Sequence, residues 1–168
     1  MMMDYTRSIA RMLHEEHLAT IGLLERCEAA LAANRKSAPE AGDASVNALL
    51  KDLDSAVESE ISSHFAFEEE HLFPRLDAGG DTGMTMILMG EHETILPLGR
   101  QVGALARTGR DGGFTDASWA EFRRLAAELV ERMISHIQKE EMGLLPAVED
   151  LLDDEADMAL TSQYAQMR

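Results

Sequence analysis

A motif written twice constrains this chain more than any other feature. His64-Phe65-Ala66-Phe67-Glu68-Glu69-Glu70-His71-Leu72-Phe73-Pro74 aligns without gaps on His136-Ile137-Gln138-Lys139-Glu140-Glu141-Met142-Gly143-Leu144-Leu145-Pro146, at an offset of 72 residues. The two share His, an apolar residue, Glu-Glu, Leu, a second apolar residue and Pro. A fainter echo pairs Glu16-His17 with Glu91-His92, whose histidines precede those of the motif by 47 and 44 residues. Two helical hairpins related by internal duplication, with a site at their centre, account for this arrangement.

The hydrophobic period is helical throughout, and strands are nowhere indicated. Ile9, Leu13, His17, Thr20, Leu24, Cys27 and Leu31 fall on one helix face, as do Val46, Leu50, Leu53, Val57, Ile61, His64 and Glu68. Met84, Leu88, His92, Ile95, Leu98, Val102 and Leu105 form a third stripe, and Phe122, Leu125, Leu129, Met133, His136, Glu140 and Leu144 a fourth. Punctuation sets the expected limits at 4–34, 44–73, 81–108 and 116–145, with a shorter, weaker helical tail over 147–168. The second helix is expected to stop at Pro74 and Gly79-Gly80, and the fourth at Leu145-Pro146. Asp81 and Thr82 are suitable N-caps for the third, in which Pro97 predicts a kink. Each of the four is about 30 residues, or roughly 40–45 Å. Their short connections predict an all-α, up-down-up-down four-helix bundle in a single domain spanning residues 1–168.

Composition narrows what such a bundle does. The chain has 168 residues, 45% of them hydrophobic, and its 15 Lys+Arg against 31 Asp+Glu give a formal charge of −16. That balance argues against a nucleic-acid partner, whose phosphates demand cations, and against an anionic membrane surface. The longest apolar runs, such as Met86-Ile87-Leu88-Met89, are far too short to span a bilayer. The opening Met1-Met2-Met3-Asp4-Tyr5-Thr6-Arg7 lacks the pattern of a secretory signal, so a cytoplasmic location is expected. Cys27 is the single cysteine and reads as a small buried hydrophobe.

The spacing within the motif carries the chemistry. Residues i and i+4 share a helix face, so His64 with Glu68, and His136 with Glu140, each aim a nitrogen and a carboxylate at one place. His17 and His92 add imidazoles from the first and third helices. Two glutamates on core stripes, with no Lys or Arg there to neutralise them, are costly as unpaired charges. A pair of metal ions removes that cost, and the donor set suits iron, zinc or manganese. Glu69 and Glu141 lie at i+5, turned about 140° from the histidine, and are expected at the surface or behind the ligands. His14 and His71 lie toward one end of the site, either as a pair lining an entrance or as two unrelated, partly exposed histidines.

Taken together, Glu16-His17, the His64-to-Pro74 motif, Glu91-His92 and the His136-to-Pro146 motif resemble the hemerythrin-like family, the HHE cation-binding domain, over nearly the whole chain. The resemblance implies a bundle holding two non-haem irons with an oxo or hydroxo bridge, which reacts with dioxygen, peroxide or nitric oxide. It implies His17, His64, His92 and His136 as terminal ligands and Glu68 and Glu140 as bridges. The oxygen carriers of that family have a further histidine one turn after the third-helix ligand, where this chain has Leu96. Each metal is then left with five ligands of a six-coordinate shell, which favours sensing, or turnover of peroxide, oxygen or nitric oxide, over reversible oxygen storage. Iron–sulfur repair proteins of similar fold add a cysteine-containing N-terminal domain, which is not expected in these 168 residues with Cys27 as the one cysteine, so that role is disfavoured. Iron storage or delivery, and a zinc-stabilised bundle without redox chemistry, are the alternatives; peroxidase or nitric oxide reductase activity is open, as is a homo-oligomer.

Overall fold

The computed structural model describes residues 4–80 and 82–168. Among them the chain forms five helices and no strand: α1 (Ser8–Ala33), α2 (residues 44–77), α3 (Gly83–Gly112), α4 (residues 116–151) and α5 (Asp154–Met167). Helix α1 packs on α2, α2 on α3, α3 on α4, and α4 returns to α1, the closed ring of neighbours expected of an up-and-down bundle. Helix α5 lies across α1 and the middle of α2. No helix among the described residues is long and apolar enough to cross a membrane.

Several helix ends depart from the expected ones. Helix α2 runs past Pro74 to Asp77, and α4 past Pro146 to Leu151. Both prolines follow a π-turn, Glu68–Leu72 in α2 and Glu140–Leu144 in α4. A proline inside a helix lacks the N–H for the i−4 carbonyl and its ring crowds that carbonyl. The wider turn draws the carbonyl away, so the helix continues, and such turns often mark functional sites. A third π-turn occupies Ala56–Ile61. Helix α3 passes through Pro97 and ends four residues later than expected, where Gly113 adopts φ +77°, a conformation that suits glycine. Thr82 stands at its N-cap position without a side-chain capping bond, and Asp81 lies outside the described residues.

Helix α1 begins at Ser8 instead of near Asp4, and its start is held from afar. Arg7, at its N-cap, offers no side-chain cap. Asp157 of α5 accepts from the Ser8 and Ile9 amides at 2.8 and 2.9 Å, and Glu149 accepts from the Arg7 amide at 2.7 Å. The tail therefore satisfies N–H groups that α1 leaves open. Asp153 caps α5 by accepting from the Ala156 amide, and Leu160 and Tyr164 are completely buried.

Two apolar clusters fill the bundle. One, with Leu50, Phe122 and Leu129, contains Cys27, which is buried as expected. The other, with Leu13, Phe67, Leu76, Leu144, Leu160 and Tyr164, includes residues of α5. Leu96 packs against the first cluster and brings no donor.

Candidate metal centre

The six polar residues expected at the centre, His17, His64, Glu68, His92, His136 and Glu140, are all buried. Glu68, His92, His136 and Glu140 each offer a ligand atom within 4.8 Å of one another, and His17, His64 and Glu140 do the same. The two groups share Glu140. Glu68 also faces both halves, its Oε1 lying 3.4 Å from His64 Nε2 and 3.5 Å from His92 Nε2. Glu140 Oε1 is 3.0 Å from His17 Nε2, 3.7 Å from His64 Nε2 and 3.6 Å from His136 Nε2. Each carboxylate thus faces histidines of both pairs.

Buried polar atoms without partners test whether these residues suit metal ions. His64 Nε2, both carboxylate oxygens of Glu68 and Glu140 Oε2 are buried with no hydrogen bond. Such groups are rare in folded proteins and costly when left alone. His92 Nε2 and His136 Nε2 lie 3.2 Å apart. Two nitrogens bound at right angles to one ion, each about 2.1 Å from it, stand roughly 3 Å apart. The donor set and its convergence therefore suit a pair of transition-metal ions.

Around these six residues runs a second ring of four glutamates, each reaching from one helix to the next. Glu16 of α1 accepts from His64 Nδ1 of α2 at 3.2 Å, and Glu69 of α2 accepts from His92 Nδ1 of α3 at 3.1 Å. Glu91 of α3 accepts from His136 Nδ1 of α4 at 2.8 Å, and Glu141 of α4 closes the ring on His17 Nδ1 of α1 at 2.9 Å. With Nδ1–H engaged, each imidazole presents Nε2 to the centre, and its ring is held in place. Glu69 and Glu141 thus lie behind the ligands, one of the two positions their i+5 spacing allowed. The roles of Glu16 and Glu91 were not drawn from the sequence, although their adjacency to His17 and His92 in both repeats is a signal. Tyr164, whose hydroxyl donates to Glu16, had no such signal.

His14 and His71 have different neighbours. His14 Nδ1 donates to the second oxygen of Glu141, so His14 stands behind His17. His71 Nε2 lies 3.9 Å from the Glu70 carboxylate, and its ring meets Phe67 at 5.9 Å.

The metal-free electrostatics are those of crowded, unneutralised charge. Burial and the Glu140 charge push the Glu68 carboxyl well above its ordinary range. Burial also acts to raise Glu140, but its interactions with Glu68, His17 and His64 hold it well below. Burial lowers His64, and the opposing pull of Glu140 and Glu16 carries it up to about 9. His92 is pushed down to about 3 by burial and then by the neighbouring His136.

Access differs among the four histidines. A cavity of about 220 Å³ reaches His17, His64 and His136, lined in part by Thr20, Ile61, Phe65, Met133 and Ile137, with Glu15, Glu60 and Arg168 among its polar groups. His92 does not line it: Phe65 lies flat on His92, ring centroids 3.8 Å apart, and Phe73 stacks on it at 5.8 Å.

Comparison with known families places this geometry. The family model described as Hemerythrin HHE cation binding domain matches residues 8–148, from the start of α1 to the end of the second motif. A search among curated proteins returned no match.

Proposed function

The chain belongs to the hemerythrin HHE cation-binding domain family, and on that footing we propose that it holds two iron ions and binds, senses or reacts with dioxygen, peroxide or nitric oxide. The observation that carries the reading is the set of buried, unpartnered atoms of His64, Glu68 and Glu140, which only a cation at the centre satisfies without a lysine or arginine. His17 and His64 would hold one ion and His92 and His136 the other, with Glu68 and Glu140 shared. An iron pair supplies one-electron steps and a vacant coordination position for a small ligand.

The chain's own residues do the rest. Glu16, Glu69, Glu91 and Glu141 keep the four Nδ1 protons and orient the rings. Phe65 and Phe73 cover His92, while the cavity beside His17, His64 and His136 admits a small molecule. Leu96, half-buried against the core, leaves no third histidine for the second ion. The absence of that donor favours sensing or turnover over storage of oxygen.

Protein purified from iron-replete cells is expected to carry two irons per chain and the visible bands of a coupled diferric pair. Those bands should change on adding peroxide, nitric oxide or, after reduction, dioxygen. Two zinc ions and no such bands would replace this reading with a metal-stabilised bundle. Iron loading far beyond two per chain would replace it with storage. Steady consumption of the oxidant distinguishes an enzyme from a sensor.

A further inference from the structure

The two hairpins meet one requirement by different means. In the second, Glu91 supports His136 with one oxygen and takes Lys139 Nζ on the other at 2.6 Å. The residue matching Lys139 in the first motif is Phe67, which has no donor. Phe67 instead stacks on Tyr164 of α5, centroids 4.5 Å apart and planes within 10°. Seated there, the Tyr164 hydroxyl donates to Glu16 Oε2, the oxygen that also accepts from His64 Nδ1. Arg168 Nε lies 3.6 Å from Glu16 Oε1, and the Arg168 guanidinium lies over the Tyr164 ring. Tyr164 falls outside the residues 8–148 that the family model matches, so this support comes from the chain's own tail.

We propose that Tyr164 is a positioning residue for one metal position: by holding Glu16 against His64, it strengthens metal binding in the His17/His64 half and not in the other. The inference rests on the two-metal reading above. The hydroxyl acts on Glu16 in two opposing ways. It draws off some of the negative charge that Glu16 offers to His64, which weakens the imidazole as a ligand. It also keeps the carboxylate from turning into the cavity, which Glu16 lines. Positioning prevails, because a Glu16 freed toward water leaves His64 Nδ1–H without an acceptor and the ring without a fixed tautomer. Partners behind a metal-binding histidine are worth about 10–100-fold in affinity. Tyr164 acts one hydrogen bond further out, so its loss is expected to cost about tenfold, the lower end of that range.

The test is a cobalt(II) titration of the metal-free protein, followed by visible absorption, with thermal melts of each variant before metal is added. Wild type is expected to take two cobalt ions per chain. Tyr164→Phe keeps the ring on Phe67, so its metal-free melt should stay close to wild type while one of the two positions weakens about tenfold. In a His92→Ala background the surviving position should show that loss, and in His64→Ala it should not. Glu16→Gln should weaken the same position, and adding Tyr164→Phe to it should weaken it no further. Lys139→Met should weaken the other position. Wild-type affinity at both positions in folded Tyr164→Phe overturns the proposal, as does equal weakening of both. Should Tyr164→Phe not fold, Glu16→Gln decides: two positions of wild-type affinity there remove the only route by which Tyr164 could act. A wild-type chain that fails to take two ions overturns the two-metal reading itself, a separate outcome.

Discussion

His17, His64 and His136 border a cavity of about 220 Å³, whereas His92 lies under the flat face of Phe65 at 3.8 Å with Phe73 stacked on it at 5.8 Å. Duplication repeated the ligands because i and i+4 on one helix face require only a local spacing. The surroundings differ between the repeats: Phe65 of the first motif lies flat on His92, whereas its counterpart Ile137 lines the cavity and has no ring to cover a histidine in that way. Two chemically matched metal positions can thus differ in how readily a small molecule reaches them.

The strongest way to break the comparison is to remove what the halves share. Glu140→Ala should empty both positions, because Glu140 faces histidines of each, and metal analysis should find neither ion retained at full occupancy. His64→Ala and His92→Ala should each leave about one ion per chain, but with different consequences. Azide, added as a small probe ligand, should perturb the spectrum of loaded His92→Ala more strongly than that of His64→Ala, because the cavity reaches both histidines of the first pair and only His136 of the second. A spectrum that responds equally in both would remove the distinction in access.

Ile137→Phe should narrow the cavity at a cost of about 1–3 kcal/mol in stability, keep both metals and slow azide binding measured by stopped flow. Leu160→Ala sharpens the comparison from the tail, which packs on α1 and the middle of α2. Loss of this fully buried leucine should destabilise the chain by about 2–5 kcal/mol in denaturant melts.

Cys27, distant from both halves, gives the smallest effect. Burial, with the nearby Glu28 charge, pushes its thiol up to about 12. Native protein at pH 8 should resist thiol reagents that label it once unfolded. Because the folded thiol holds its proton more tightly than the unfolded one, this contribution to stability is full below about pH 8.5 and declines as pH rises toward about 12.

Much of the fold was legible before any coordinates. The stripes of α1 to α4 put apolar residues every three or four positions, and the four histidines and two glutamates on those stripes are all buried. The helix ends were less legible, since Pro74 and Pro146 normally end a helix and here follow π-turns that relieve the clash. Glu69 and Glu141 could be placed outside the ligand face by angle alone, but not paired with His92 and His17, which belong to neighbouring helices.

What the sequence determined by itself is local: helical period, the His-x-x-x-Glu geometry repeated at 72 residues, and therefore which side chains can share a face. Tertiary structure alone decided the glutamate ring, the aromatic cover over His92, and the use of a tail residue, Tyr164, 148 positions from the glutamate it supports. A hydrogen bond across that separation leaves no periodic trace, because it depends on how α5 docks on α1 and Phe67, a sum of buried contacts and not of spacing.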